Sequence, residues 1–435
     1  MVLKNINHSL GYHTQKIVTM FFPYEKIKSD GEDNNEVVTK IENNTLTVEV
    51  KLGEAERASS CELKQGGDVA MAMSVLLFRL LSEMTGFRPP WGILYGVRPA
   101  RLMHAKTEEL GREGAIRYFG DSLVLPEKTE LALEVTENEN RIISLSEKNS
   151  CSLYISIPFC PSRCAYCSFV SHSIENAAGL IDGYVDLLVR ELEATAEVIK
   201  NLSLKLETVY FGGGTPTVLS PAQLEKLLRT VEKSFDISCL RELTVEAGRP
   251  DTVTVEKLRT LKAFDVSRIS INPQTFNDKV LENIGRRHTS ADTLSAFELA
   301  RKLGFDNINM DFIAGLSGDT LASFKNSVDT ACRLGTESVT LHNLALKSAA
   351  YLVTENETAS LSDKALPFEM LSYAYGKLKE NGYIPYYMYR QSKSLGNLEN
   401  TGWCKPNHEG LYNVFMMDET HTVLAAGAGA VTKLK

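Results

Sequence analysis

The chain has 435 residues, a length that predicts about two to three domains, and its 43% hydrophobic and 23% charged content is that of an ordinary globular protein with ample core. Its 47 basic against 55 acidic residues give a formal net charge of -8, which argues against a nucleic-acid or anionic-membrane binder unless basic groups cluster locally. The N-terminus lacks a basic-then-apolar signal, and the longest apolar run, residues 69–81, is broken by Ser74 and Arg79, so a cytoplasmic protein without integral membrane contact is expected.

In chain order, residues 16–22 read as a strand, and 37–42 with 45–50 flank Asn43-Asn44 as a hairpin. A strongly apolar helix is expected over 68–84. Pro89-Pro90-Trp91-Gly92, a Gly96-Val97-Arg98-Pro99 turn and two further helical stretches follow, then a polar linker near 144–150. Residues 1–148 thus form a small α+β domain of unknown role. From residue 152 the pattern changes to alternating strands and helices, the signature of a parallel α/β architecture. Six strands are expected at 152–157, 207–211, 243–246, 266–271, 307–313 and 338–343. Crossover helices are expected at 179–200, 221–233, 252–264, 290–303 and 318–334. A helix over 367–380 and β-rich stretches at 384–391, 411–417 and 422–424 complete the chain. There is no internal repeat or low-complexity tract.

Eight cysteines occur at positions 61, 151, 160, 164, 167, 239, 332 and 404, too scattered for a disulfide framework and consistent with a reducing compartment. Three of them form a C-x3-C-x2-C loop, Cys160-Pro161-Ser162-Arg163-Cys164-Ala165-Tyr166-Cys167, directly after the first of the six strands. Three thiolates on a four-iron cluster leave one iron without a protein ligand, able to bind a substrate or cofactor. The same cysteines with His172 could instead close a zinc site. Position along the strand ladder bears on the choice. Gly212-Gly213-Gly214-Thr215-Pro216-Thr217 follows the second strand, Glu246 ends the third, Asn272 and Gln274 follow the fourth, Asp311 lies in the fifth and His342-Asn343 ends the sixth. Ligands of α/β folds bind at the C-terminal strand ends, where these polar features fall. The triglycine lets backbone approach a ligand without Cβ interference. It lacks the Gly-Lys-Ser/Thr of a phosphate loop, and Pro216 does not suit a dinucleotide fingerprint.

The order of cysteine loop, β-α unit and Gly-Gly-Gly-Thr-Pro resembles the radical S-adenosylmethionine (SAM) superfamily. Within it, Tyr154-Ile155-Ser156-Ile157-Pro158-Phe159-Cys160 and residues 211–217 resemble the oxygen-independent coproporphyrinogen III oxidase (coproporphyrinogen dehydrogenase) family, over about 153–431. Gly92-Ile93-Leu94-Tyr95-Gly96-Val97-Arg98-Pro99, Tyr389-Arg390-Gln391 and Leu395-Gly396-Asn397-Leu398-Glu399-Asn400 are similar to its N-terminally extended branch. The resemblance implies a partial (β/α)6 radical SAM barrel over 149–365 and a β-rich C-terminal extension over 366–435. The family's helical segment after Gly427-Ala428-Gly429-Ala430 is expected and does not follow here, so the extension reads as truncated.

By the same resemblance, Cys160, Cys164 and Cys167 hold a [4Fe-4S] cluster whose open iron is chelated by SAM. Gly213 and Gly214 meet the methionine amino group, Glu246 and Arg286 lie near the amino-acid portion, Gln274 and Asp311 face the ribose, and Tyr154, Tyr166 and Val431 line the cofactor. An acid suits an ammonium, an arginine a carboxylate, and Asp or Gln the ribose hydroxyls. The implied reaction begins with one-electron cleavage of SAM to a 5′-deoxyadenosyl radical. That radical takes hydrogen from a substrate propionate, which loses CO2 and an electron to become a vinyl group. Two such steps convert coproporphyrinogen III to protoporphyrinogen IX in haem biosynthesis.

The implied partners are coproporphyrinogen III or a related tetrapyrrole and an electron donor such as flavodoxin or ferredoxin, with no nucleic acid. Arg249, Arg268, Arg287, His288 and Arg390 are candidate partners for substrate carboxylates. One departure is Phe169, where some relatives carry a fourth cysteine; phenylalanine there also occurs in haem chaperones. A haem-binding or haem-transfer protein, or a radical SAM enzyme acting on haem, are therefore the alternatives. Absence of an obvious Asn-x-x-Tyr-Trp segment near 411–417 weighs against the chaperone.

Overall fold

The computed structural model describes residues 1–96, 98–169, 171–345, 365–391 and 394–435, so Val97 of the expected turn and the stretch before the 365/366 boundary lie outside the described residues. Two compact units result, residues 1–133 with 390–399, and residues 134–389 with 400–435.

In the first unit, β1 (Val2–Ile6), β2 (Asn35–Glu42), β3 (Thr45–Leu52) and β4 (Ala55–Glu62) form a sheet in that order, with β1 parallel to β2 and the others antiparallel. The expected hairpin is β2 and β3. Asn43 and Asn44 both have positive φ, 45° and 63°, the twist a two-residue hairpin turn requires. The expected strand at 16–22 is instead the end of a helix, Gly11–Phe21. Its β-branched Ile17 and Val18 suggest a strand, but buried Thr14, Ile17, Val18 and Phe21 recur at i, i+3, i+4 and i+7, and that helical face packs into the core with Leu77, Phe78 and Leu81. Those three belong to helix Val69–Thr85, which Asp68 caps by accepting from Met71 N at 2.9 Å. β4 escapes sequence reading because Ala-Glu-Arg-Ala-Ser-Ser-Cys-Glu is an exposed edge strand without apolar alternation.

The second unit holds the six expected strands, β5 (Ser150–Ile157), β8 (Lys205–Gly213), β9 (Glu242–Glu246), β10 (Arg268–Ser270), β11 (Ile308–Ala314) and β12 (Ser338–Asn343). They are consecutive parallel neighbours. Between β5 and β8, β6 (Phe159–Cys160) and β7 (His172–Ser173) make a small parallel pair around the cysteine loop. Helices Ile181–Asn201, Pro221–Ser234, Val255–Ala263, Ser290–Lys302 and Leu321–Leu334 supply the crossovers, and the last four begin on Ser220, Thr254, Thr289 and Thr320 side-chain caps.

Three later strands extend the sheet to nine, in the order β13 (Ile384–Arg390), β14 (Glu399–Cys404), β12, β11, β10, β9, β8, β5, β15 (Thr422–Ala426). β14 runs antiparallel to β12, and β15 runs parallel to β5. The architecture is α/β with a partial barrel: among the described residues the sheet does not close on itself. The third β-rich stretch, 411–417, is a helix, Leu411–Asp418. Its Tyr, Val and Phe residues favour strands, but the Glu242 carboxylate accepts from Leu411 N at 2.8 Å and Tyr412 N at 3.2 Å, and these two bonds fix a helix N-terminus. No helix among the described residues is long and apolar enough to cross a membrane.

Gly402 in β14 faces the ring of Tyr387 in β13, and a Cβ there would overlap that ring. Tyr387 is only 5% exposed and cannot swing away. Gly402→Ala is expected to destabilise the second unit by about 1–3 kcal/mol. A lower urea midpoint for Gly402→Ala, largely restored by adding Tyr387→Leu, checks this.

Candidate functional site

The cysteine loop is built on the ends of β5 and β8. His172 N donates to Pro158 O at 2.8 Å, Ala165 N to Ile284 O at 3.0 Å and Cys167 N to Cys164 O at 3.1 Å, so the loop is tied at both ends and in its middle. The glycines of β8 lie directly beneath it. Gly214 N donates to Ile157 O and Thr215 N to Phe159 O, each at 2.8 Å, and the Thr215 hydroxyl lies 3.5 Å from Cys160 Sγ. A Cβ on Gly214 would stand 2.5 Å from Phe159 O and 2.9 Å from Cys160 Sγ, and Gly213 has φ +103°. No other residue type fits this approach.

Cys164 is buried, and Cys160 and Cys167 are half-buried. Burial pushes the Cys160 and Cys167 thiols up from their ordinary value, so as free groups they keep their protons; bound iron reverses that balance. Four thiolate or imidazole ligands on one zinc ion lie roughly 3.8 Å apart, given bonds of about 2.3 Å in a tetrahedron. His172, the fourth donor a closed zinc site would need, is exposed and lies on β7 beyond the loop. The donor set instead fits a cluster, in which each thiolate takes its own iron.

Inside the strand ends, sheet register places Tyr154 of β5 beside Tyr210 of β8. Their rings stack with Tyr412 of helix Leu411–Asp418, with centroids 4.5 Å apart for Tyr210–Tyr412, 5.9 Å for Tyr154–Tyr412 and 6.1 Å for Tyr154–Tyr210. Burial pushes all three hydroxyls well above the ordinary value, so they remain protonated donors. The Tyr210 hydroxyl donates to Glu246 Oε1 at 2.6 Å. Burial raises the Glu246 carboxyl to about 8; the Tyr210 bond opposes the rise and the charge of Asp311 adds to it. Burial also pushes Asp311 upward, but bonds from His342, Asn309 and Thr340 outweigh it and hold that carboxyl below its ordinary value. Two carboxyls of one mouth are thereby driven apart, one ready to gain by meeting a cation, the other already ionised.

Gln274 follows β10 with φ 67°, its N donating to Asp311 O at 2.9 Å, and its buried Oε1 has no hydrogen-bond partner. Arg286 is buried between Asn272 O at 2.5 Å, Gly248 O at 3.4 Å and the Tyr166 hydroxyl at 3.3 Å, with Nε left without a partner. Strained backbone and unpaired buried groups at one place are the marks of a site awaiting a ligand. Val431 is 69% exposed and is not packed with these groups. The nearby glycine stretch does reach the site, because the Ser156 hydroxyl donates to Ala428 O at 3.0 Å.

The cations expected to meet substrate carboxylates have other duties. Arg268 lies at the start of β10, away from the C-terminal strand ends, and its guanidinium donates to His408 O, Ser338 Oγ, Asn307 Oδ1 and the Tyr386 hydroxyl inside the core. Arg390 belongs to the first unit, where it donates to Leu94 O and Gly96 O beneath Trp91. Arg249 is bound into the cysteine loop. His288 is buried and neutral, its imidazole lowered to about 4 by burial and by Arg286 and Arg249. Arg287 alone of the five is exposed, in an ion pair with Glu175 beside a cavity of about 790 Å³.

Tyr210 and Tyr412 pack against the candidate site and were not singled out in the sequence. The alternation of β8 could have given Tyr210, since it stands two residues before Gly212 on the inward face. Tyr412 was hidden by the strand reading of its helix.

A family model described as the radical SAM superfamily matches residues 154–331. The chain is 38% identical over 370 residues to the oxygen-independent coproporphyrinogen-III oxidase-like protein HemZ of Bacillus subtilis (strain 168), covering 84% of this chain and 74% of that protein. It is 37% identical over 241 residues to the heme chaperone HemW of the same organism, covering 54% of this chain and 62% of that one. Among solved structures, coproporphyrinogen III oxidase (HemN) from Escherichia coli, described as a radical SAM enzyme, superposes with a TM-score of 0.54 at 22% identity, covering 67% of this chain and 66% of that one, a likeness of fold.

Two outcomes are expected. The raised Glu246 carboxyl keeps its proton in the folded state between its ordinary value of 4.5 and about 8 while the unfolded chain has lost it, so it subtracts stability progressively as pH rises through that window. Thermal midpoints of the metal-free protein across this range should fall less steeply for Glu246→Gln than for wild type. Gly214→Ala should leave the chain folded by circular dichroism and cut the iron bound after anaerobic reconstitution several-fold.

Proposed function

We propose that this chain, which belongs to the oxygen-independent coproporphyrinogen-III oxidase-like family within the radical SAM superfamily, converts two propionates of coproporphyrinogen III to vinyl groups without oxygen, giving protoporphyrinogen IX. The family uses a [4Fe-4S] cluster and SAM. When bound, these cofactors supply removal of a hydrogen atom from an unactivated carbon. Each –CH2–CH2–CO2⁻ becomes –CH=CH2 with loss of one hydrogen atom, CO2 and one electron, the electron passing to an external acceptor.

The chain's own residues bind and orient. Cys160, Cys164 and Cys167 are assigned to the cluster. Backbone at Gly213 and Gly214 and the Glu246 carboxyl are assigned to the ammonium of SAM, which ionises Glu246 on binding, and the unpartnered Arg286 Nε to its carboxylate. Gln274 Oε1 and Asp311 are assigned to the ribose, Tyr154 and Tyr166 to the walls, and Val431 to the rim. Arg287 is assigned to a substrate propionate, because exchanging an exposed Glu175 partner costs little. The electron donor is proposed to be a flavodoxin- or ferredoxin-like protein.

The observation that carries the oxidase reading is the extent of likeness. The match to the HemZ protein covers more residues than the second unit holds and so includes part of the first, whereas the match to the HemW chaperone covers 54% of the chain. That same 37% identity, with Phe169 67% exposed beside the third cysteine, supports a second reading as a haem-transfer protein.

Anaerobic incubation of the reconstituted protein with SAM, a reductant and coproporphyrinogen III separates the two. Vinyl-bearing product that disappears in Cys164→Ser is expected. Stoichiometric haem uptake by cluster-bearing protein, with no vinyl product, overturns the oxidase reading in favour of haem transfer.

A further inference from the structure

Arg249 lies three residues beyond the end of β9, where a substrate-binding arginine is expected, yet its side chain turns into the cysteine loop. It is 3% exposed. Nε and Nη2 donate to the two carboxylate oxygens of Asp251 at 3.1 and 3.2 Å. Nη1 and Nη2 each donate to the Ser162 hydroxyl at 3.2 Å, and Nη1 also to Ser162 O at 3.3 Å. The same Nη1 stands 3.9 Å from Cys164 Sγ. The fork is thus pinned on one side by a carboxylate and on the other by the residue between the first two cysteines, leaving Nη1 aimed at a sulfur. Cys164 is the cysteine of the three that is classed as buried.

We propose that Arg249 tunes the cluster. Its fixed positive charge and its N–H toward the Cys164 sulfur favour the reduced, more negative state, and Asp251 limits how much of that charge the cluster feels. Adding an electron to a cluster increases its negative charge, so a nearby cation and a hydrogen bond to a ligand sulfur stabilise the reduced form more than the oxidised one. The effect is large here because burial weakens screening. Arg286, buried and itself hydrogen-bonded to the Cys164 sulfur, the exposed Arg287, and the neutral His288, whose Nδ1 lies 3.7 Å from Asp251 Oδ1, also face this pair among the described residues. Arg249 is accordingly a positioning and tuning residue rather than a substrate ligand. The inference rests on cluster binding by the cysteine loop and not on the porphyrin substrate.

The test uses the full chain, reconstituted anaerobically without SAM or substrate. The cluster's midpoint potential is measured by dithionite titration followed by electron paramagnetic resonance, with iron and sulfide content as the control. Arg249→Gln should shift the midpoint to more negative values, Asp251→Asn should shift it to more positive values, and Arg249→Lys, which keeps the charge but loses the fork, should shift it to more negative values by less than Arg249→Gln. If Arg249→Gln loses its cluster, the signs for Asp251→Asn and Arg249→Lys decide the matter. Unchanged potential in Asp251→Asn, or in Arg249→Gln at full cluster content, overturns the proposal. A wild-type protein with a normal cluster and no vinyl product would sink the oxidase reading and leave this one standing.

Discussion

Everything at the site depends on how closely the end of β8 can lie against the cysteine loop. Parallel pairing of β5 with β8 runs through Ile157 and Gly213, and the contact continues past the strands as Gly214 N to Ile157 O and Thr215 N to Phe159 O. A side chain at Gly214 would occupy the space beside Cys160 Sγ. Two glycines therefore convert an ordinary strand end into a backbone floor under three thiols. The conformational entropy this costs is offset by the parallel ladder on either side.

Electrostatics at the mouth follow from the same packing. Because Tyr210 stacks with Tyr154 and Tyr412 and bonds to Glu246, the two lie in a poorly solvated pocket, and a carboxyl there prefers to be neutral. Asp311, two strands over in β11, escapes that outcome because His342, Asn309 and Thr340 hold its charge. The pocket has no complete set of partners for Gln274 Oε1 or Arg286 Nε. Both groups lie beyond β10, Gln274 held by its backbone bonds to β11 and Arg286 by the Asn272 and Gly248 carbonyls.

Strand existence and order in the six-unit core were legible because buried parallel strands are short apolar runs bounded by turn signals, as at Ser338–Asn343. The cysteine loop, Gly214 and Glu246 stood out in the sequence because they follow or end strands, and Asp311 because it is a lone acid inside an apolar strand. Misreadings arose where tertiary contact overrode local preference. Ile17 and Val18 prefer strands yet serve a helical face, and Tyr412 to Phe415 form a helix because Glu242 caps it. Cation roles were the least legible. Position after a strand put Arg249 near the cysteine loop, whereas Arg268 proves to open β10 at the opposite end of the sheet, and only three-dimensional packing shows which way a long side chain turns.

The segment 390–399 illustrates a limit of another kind. It lies between β13 and β14 in sequence, yet its residues pack with the first unit, so no contiguous domain boundary can describe the chain. What holds it is Glu399, fully buried, accepting from Trp91 Nε1 at 2.6 Å and Lys128 Nζ at 2.5 Å. A buried ion pair adds little net stability, because desolvation cancels most of the attraction, but losing one partner costs about 3–5 kcal/mol. Its value lies in specificity. Moving Glu399 out of this pocket would leave the buried Lys128 ammonium without that carboxylate, so the pair favours this placement of Glu399 over others. The segment's sequence resemblance and its structural duty thus meet at the one residue, Glu399, that no local pattern marks as buried.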